Sequence, residues 1–386
     1  MPTLSMTFAQ KSWRLSPMYF FYFALFGIFI PYIARFLTDK GLNGQEISII
    51  VATIHGVNMF APFIFSYLAD KTGRRMIFIR LGYIAMAVFY LSVLLADSFW
   101  LYLASFGLFG VFLSATLPQM ESITLSILGS EQKRYGQVRL WGSIGFVSIV
   151  WVVGSLLDTH SVDIIIYFGF VAILLMVAST FLIPDQSEKT NHHNEKNSQP
   201  LESIPWKQVF ILLLAIIFWQ FGMAPFNTFF DLYLRGHGHS ASANGFLISF
   251  GSFSEIVIFF SITRLFMCFS ERSLMAFALF ATVIRWLLVY SFAEYFWVMF
   301  ASQAIHALSF GLVHSVAIHR IAHLFPEGQA SFGQGLYVAL GTGLGLLIGN
   351  LLAGWFWDGS GLIYLFGAGW TVLALGVGWF GFGRRY

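Results

Sequence analysis

Twelve apolar stretches, each long enough to cross a bilayer, leave this chain of 386 residues one kind of fold to adopt. A spanning helix takes about 20 predominantly apolar residues. Such runs fall at 17–37, 44–69, 76–96, 99–128, 136–158, 161–183, 207–235, 241–263, 273–293, 295–324, 331–357 and 360–383. In hydrocarbon the backbone must satisfy its own hydrogen bonds, which only helices and closed barrels achieve. Barrel strands read as alternating segments of about 10 residues, so continuous runs of this length specify helices. Charged residues are 10% of the chain and hydrophobic ones 58%, against about 25% charge in an average soluble domain. The expectation is an all-α integral membrane protein embedded in the lipid bilayer by 12 transmembrane helices.

Lysine and arginine set the orientation of such a chain. With the N-terminus inside, Lys11, Arg14, Lys71, Arg74, Arg75, Arg80, Lys133, Arg134 and most later basic residues fall on the cytoplasmic side, and only Arg35, Lys40 and Arg235 fall outside. Both termini are therefore expected in the cytoplasm, with the chain in a bacterial-type inner membrane. The first run is too long for a signal-peptide core and has no small-residue cleavage site behind it, so it reads as a retained helix. Cys268, the sole cysteine, excludes an intramolecular disulfide framework. The net charge of +3 follows from the loop bias and implies no nucleic-acid partner.

Catalytic motifs are missing: there is no His-Glu-x-x-His, no Gly-x-Ser-x-Gly and no paired intramembrane aspartate, so no enzyme is expected. His314, His319 and His323 descend the tenth run with no acidic or cysteine companion in reach of the sequence pattern. No metal and no cofactor are expected.

One strongly polar segment, Asp185 to Pro200, divides the runs six and six. Its composition is that of a linker, giving units at 1–183 and 207–386 joined by 184–206. An offset of 197 positions superposes Gly41 on Gly238, Arg75 on Arg272, Trp100 on Trp297, Gln137 on Gln334 and Tyr167 on Tyr364. One register over the whole length marks an internal duplication. Two six-helix bundles related by an axis along the membrane normal are the plan of transporters that rock about a midplane site, and a functional monomer suffices for it.

Charges inside the runs are expensive in hydrocarbon and mark function. Glu121 lies in the fourth run and Arg139 opens the fifth; Glu255, Arg285 and His306 lie in the eighth, ninth and tenth. His55 and Asn58 coincide with Ser252 and Glu255 in the duplicated register and are candidates to line a cavity. Asp231 and Arg235 read as a structural i,i+4 pair near the outer surface. Gly341, Gly345 and Gly349 form a stripe that admits a close helix neighbour.

Ser66-Tyr-Leu-Ala-Asp70-Lys-Thr-Gly73-Arg74-Arg75 joins the second and third runs. It resembles the loop motif of the major facilitator superfamily, with Ser66 where a glycine is usual. Physically, Gly73 suits a tight turn, and Asp70 suits hydrogen bonds from Arg74 or from a helix N-terminus of the other half, a latch for the cytoplasmic side. Asp70, Gly73, Arg74 and Arg75 are the candidate gating residues. The matching loop of the second half carries Met267 in place of the aspartate.

Tyr135-Gly-Gln-Val-Arg139-Leu-Trp-Gly-Ser-Ile-Gly-Phe146, Ser254-Glu255, Ile284-Arg285-Trp286 and Gln303-Ala-Ile-His306 together resemble the phenylpropionate permease family, relatives of the lactose and nucleoside proton symporters. The resemblance implies the major facilitator fold and carries over roles by position. Glu121 and Arg139, 18 positions apart as in the lactose symporters, would bind substrate with the aromatic Phe146. Glu255, Arg285 and His306, with Glu121, would couple protons. It also places the eleventh run between the halves, so that the glycine stripe would serve a rocking contact, and puts Pro31, Pro118 and Pro225 as interruptions of cavity-lining helices. Two departures from the lactose symporters stand out: Ser309 stands where they have a carboxylate and Gln303 where they have a lysine. The expected function is proton-driven import of a small organic solute such as an aromatic monocarboxylate. The proton gradient would be the energy source. A sugar or nucleoside symporter is the alternative, and a non-transporting sensor a distant one.

Overall fold

The computed structural model describes residues 6–183, 204–326 and 329–381, so the expected linker lies outside the described residues up to 203. Every regular element among the described residues is helical. The helices are α1 (Phe8–Phe29), α2 (Ile33–Asp39), α3 (Gly44–Val57), α4 (Ala61–Thr72), α5 (Arg75–Ser92), α6 (Phe99–Leu128), α7 (Tyr135–Leu156) and α8 (Ile164–Thr180). They continue as α9 (Trp206–Gly236), α10 (Ala241–Cys268), α11 (Glu271–Ser291), α12 (Phe296–His306), α13 (Val313–Leu324), α14 (Ala330–Leu336), α15 (Gly345–Phe356) and α16 (Leu362–Gly381). π-helical segments join α12 to α13 (Ala307–Leu312) and α14 to α15 (Tyr337–Leu344).

Nine helical runs among the described residues are long and apolar enough to cross a membrane, or ten if α1 and α2, bent by 44°, form one span. Twelve were expected. The difference has a local cause: Phe99–Leu156 counts as one run of 58 residues although a 3-10 turn with Gly129 at φ 55° separates α6 from α7, and α8 has only 17 residues. The chain is a multi-pass helical membrane protein. Its outer surface agrees, with Trp13, Trp100, Phe260, Trp297 and Trp355 among the exposed side chains, an arrangement that water penalises and lipid accepts.

Local chemistry explains where elements begin and end. Thr7 with Gln10 and Asn43 with Glu46 form capping boxes that start α1 and α3. Gly73 ends α4 at φ 63°, the left-handed conformation a glycine takes without strain. Pro31 stands in the break between α1 and α2, whereas Pro118 and Pro225 sit inside unbroken α6 and α9. Interruption was expected at all three; two helices absorb the lost hydrogen bond without ending.

Helix α1 packs on α7 and α8, α5 on α6 and α8, and α3 on α6. Among later helices, α9 packs on α15 and α16, α11 on α12 and α16, and α10 on α12. The two sets meet where α7 lies on α10, α3 on α15 and α2 on α9. The glycine stripe does not serve that meeting. A Cβ on Gly341, Gly345 or Gly349 would strike Ile216, Gln220 or Ala224, all on α9. The face turned to α3 is a different one, with Gly343 against Met59 and Gly354 against Ser48. Spacing of four selects one helix face, and that face belongs to the neighbour within the same half of the sequence.

Candidate functional site

One end of the molecule is closed by contacts between the two helix sets. Arg35 on α2 holds Asp231 on α9 through two hydrogen bonds, Nε to Oδ2 at 2.6 Å and Nη2 to Oδ1 at 2.8 Å, with side chains only 5% and 2% exposed. Asn244 on α10 donates to Oδ1 of the same aspartate at 2.9 Å. Asp231 therefore pairs across the sets and not with Arg235, which is exposed. A helical i,i+4 spacing is necessary for such a pair but not sufficient: the α9 face carrying Asp231 turns inward. The sequence did hold a signal, because in the register of 197 Arg35 falls on Leu232, one position from Asp231.

Beside this pair the α7 C-terminal end packs closely on the start of α10. A Cβ on Gly154 would come within 2.6 Å of the Ala241 carbonyl oxygen and of the Tyr32 hydroxyl. Tyr32 donates to the Val150 carbonyl at 2.7 Å and Ser249 to the Val147 carbonyl at 2.8 Å. Just beyond α7, Asp158 accepts from the backbone N–H groups of Ala241 (2.7 Å) and Ser242 (3.1 Å), capping α10. Burial pushes the Asp158 carboxyl up, but hydrogen bonds from Ser242 and Ala241 outweigh it, and its pKa lies below the usual 3.8. Lys40 donates to Asp163 at 2.7 Å; this bond raises the lysine and lowers the carboxylate. A cavity of about 420 Å³ lies over the closed contact, lined by Arg35, Asp39, Asp158, His160, Arg235 and His239.

Farther along the same helices lie the two expected clusters. Glu121 on α6 accepts from the Tyr135 hydroxyl at 3.0 Å. The Arg139 guanidinium carbon on α7 lies over Phe23 of α1, 3.7 Å from the ring centre. Gly142 makes that stack possible, since a Cβ there would sit 2.6 Å from Phe23 and 2.7 Å from the arginine Nη1. Among the described residues no ion pair joins Glu121 to Arg139, although both act electrostatically on the Tyr135 hydroxyl. Phe146 is half-buried against the core, and the aromatic face that Arg139 uses is Phe23, which the sequence reading passed over. Nothing in a chain with 45 phenylalanines distinguishes one until the α1–α7 packing is known.

The second cluster comes together more completely. Glu255 on α10 and His306 on α12 meet at 2.9 Å, Oε1 to Nε2. Arg285 on α11 is fully buried, donates to Ser309 Oγ at 3.3 Å and Gln303 Oε1 at 3.2 Å, and lies over Phe226 (4.1 Å) and Trp286 (4.5 Å). The two departures from the lactose symporters thus supply neutral oxygens to one buried cation. Phe226 also packs on His306, 5.2 Å between ring centres. The π-helical segment turns Gly311 toward Glu255, where a Cβ would lie 3.6 Å from the Glu255 Cγ. It also aligns His306, Phe310 and His314 as parallel rings 5.7 and 6.0 Å apart, and His314 Nδ1 hydrogen-bonds the Tyr337 hydroxyl at 2.7 Å. π-Segments cluster at functional sites for this reason: they re-aim side chains.

The antiparallel contacts Val147–Ser249 and Gly154–Gly245 fix the register of α7 on α10. At about 1.5 Å per residue, that register brings Arg139 and Glu255 to within about one turn of the same depth. His55 and Asn227 line a smaller enclosed cavity of about 30 Å³ with Phe26, Phe29 and Leu113. Asp70 is bound by Arg75 of its own turn at 2.5 Å, where Arg74 or a helix N-terminus of the other half had been expected; Arg74 instead caps α5 through its backbone.

The model of the MFS_1 like family matches residues 12–368. The chain is 28% identical over 353 residues to a maltose permease of Geobacillus stearothermophilus, covering 90% of this chain and 89% of the relative. It is 27% identical over 365 residues to a protein described as a probable 3-phenylpropionic acid transporter of Escherichia coli strain K12, covering 90% and 92%. The crystal structure of the nucleoside transporter NupG superposes with a TM-score of 0.85 at 14% identity, over 97% of this chain and 100% of that one.

Proposed function

The chain belongs to the MFS_1 like family, and on that premise we propose that it is a proton-coupled symporter importing a small aromatic monocarboxylate by alternating access. Twelve spans form two bundles, 1–183 and 207–386, with both termini in the cytoplasm and a monomer as the working unit. The end closed by Arg35–Asp231 then faces outward, so the protein stands closed to the outside.

The observation that carries the reading is the contrast between the two arginines. Arg139 is half-exposed, stacked on Phe23 and free of any ion pair among the described residues, which leaves its donor fork for a carboxylate beside an aromatic face. Arg285 is wholly buried, and its fork is taken by Ser309 and Gln303 next to the titratable Glu255–His306 pair. One site suits an anionic substrate and the other a proton. Glu121, tied to Tyr135, stands near enough to penalise an anion while ionised, so substrate binding and its protonation are linked.

Thermal stabilisation of the purified protein by 3-phenylpropionate, a maltoside and a nucleoside tests the substrate class. Stabilisation by the aromatic acid in the unaltered protein, lost in Arg139→Gln, supports the reading; stabilisation by the neutral glycoside alone replaces it. The second reading, a sugar or nucleoside symporter, draws on the maltose permease and nucleoside transporter likenesses and on Glu121 and Tyr135 as a hydrogen-bonding edge for hydroxyls.

A further inference from the structure

Where α10 ends and α11 begins, well away from the Arg35–Asp231 contact along α10, two histidines and a glutamate converge. His319 and His323 stand one turn apart on α13, and Glu271 is the first residue of α11, whose start is capped by Ser270. Glu271 Oε1 lies 2.7 Å from His319 Nδ1 and 3.9 Å from His323 Nδ1. One ligand atom from each of the three residues can be chosen so that all lie within 4.8 Å of one another. The acidic companion that the histidines lack in the sequence is supplied by a helix 48 residues away.

We propose that Glu271, His319 and His323 form a binding site for a divalent transition-metal ion of the Zn²⁺ class. Two imidazoles and one carboxylate are a donor set that Zn²⁺ accepts, with a fourth position left open. Hard cations such as Mg²⁺ prefer all-oxygen shells. The His323 tautomer fits: its Nδ1 faces the His319 carbonyl at 2.8 Å, and a carbonyl only accepts, so the proton sits on Nδ1, and Nε2, not the Nδ1 that lies 3.9 Å from Glu271, is the atom offered to a metal. The supporting shell is in place as well. Arg320 donates to Glu271 Oε2 at 3.0 Å and to Gln208 of α9 at 3.2 Å, holding the carboxylate with Oε1 toward the histidines. Phe266 stacks on the His319 ring at 4.1 Å and fixes its plane. The opposing charge is Arg320 itself, since Arg272 turns away onto Trp379 at 4.1 Å. Ligand atoms of a tetrahedral zinc site are about 3.3 Å apart, so side-chain rotations that shorten the separations by up to about 1.5 Å close the site. Such an ion would tie the start of α11, the helix of Arg285, to the end of the segment that carries His306.

The test uses the full chain, purified without a histidine tag, and titrated with ZnCl₂ by calorimetry and with Co²⁺ by its visible absorption. One ion per chain with the absorption of tetrahedral Co²⁺ is expected. Glu271→Gln and His319→Asn should each weaken binding about tenfold or more, while Mg²⁺ gives no heat. His323 is 61% exposed, so His323→Asn leaves the fold intact and carries the test if the other variants do not fold. The double change His192→Asn/His193→Asn controls for binding elsewhere and should leave the affinity unchanged. No ion bound to the unaltered chain, undiminished binding in His323→Asn, or loss of binding in the His192/His193 control would each overturn the proposal.

Discussion

Arg285 shows how much a side chain's neighbours decide. Its guanidinium is buried among two rings and donates from its two terminal nitrogens to two neutral oxygens, while its buried Nε has no partner among the described residues. Arg285→Lys keeps the charge but not the fork or the stacking, and we expect net uptake to fall about tenfold or more at unchanged expression, measured in proteoliposomes. Gly142 makes a second test at this scale. The methyl of Gly142→Ala would meet Phe23 and Arg139 together, so KM for uptake should rise about tenfold with little change in maximal rate. In the sequence, Gln303 and Ser309 could be read only as lost charges. Their role as partners of Arg285 depends on where α12 and its π-helical continuation place them, and no spacing rule reports that. Glu121, Arg139, Glu255, Arg285 and His306 were visible as types out of place in apolar runs, whereas Phe23 and Phe226 were hidden among ordinary apolar residues.

Elements meet through faces that periodicity only partly reveals. The stripe of Gly341, Gly345 and Gly349 announces a close neighbour but not which one, and the neighbour is α9. Likewise Arg35 and Asp231 are conspicuous, but their pairing needs α2 set against α9. Removing one partner of such a buried pair leaves an uncompensated charge, a cost of about 3–5 kcal/mol. Asp231→Asn should therefore open the closed end, seen as a longer distance between spin labels at Ser161 and Ser240 in a Cys268→Ser background. The exchange Arg35→Asp with Asp231→Arg should recover part of the loss, as coupled sites do. Acid acts on the same end through Asp158. Its folded pKa is depressed, so its contribution is full above the ordinary 3.8 and is lost as pH falls through the lower folded value. The label distance should stay constant down to that range and lengthen below it. A distance already changing near neutral pH would assign the gate to another group.

At the scale of the whole molecule the sequence was most informative, because hydropathy and the repeat both act over many residues. The helical membrane architecture followed from the apolar runs, and the family match extends over residues 12–368. The count of spans was less legible: α6 and α7 run together by apolarity, and α8 is short. A site divided between sets of helices has a simple consequence. Arg139 and Glu255, the proposed substrate and proton sites, lie at nearly one depth on α7 and α10, the helices that seal the closed end with Ser249 and Gly154, so movement of these two helices would change access to both. Under the proposed function Glu255, which His306 holds with Arg285 close by, is the group on which coupling would turn. The most direct measurement is uptake of labelled 3-phenylpropionate into proteoliposomes under an imposed inward proton gradient, for the unaltered chain and for Glu255→Gln, alongside exchange at equal pH. The account predicts gradient-driven accumulation by the unaltered chain, and in Glu255→Gln exchange that persists while accumulation is lost. Accumulation by Glu255→Gln equal to that of the unaltered chain, or uptake by the unaltered chain that ignores the gradient, would contradict it.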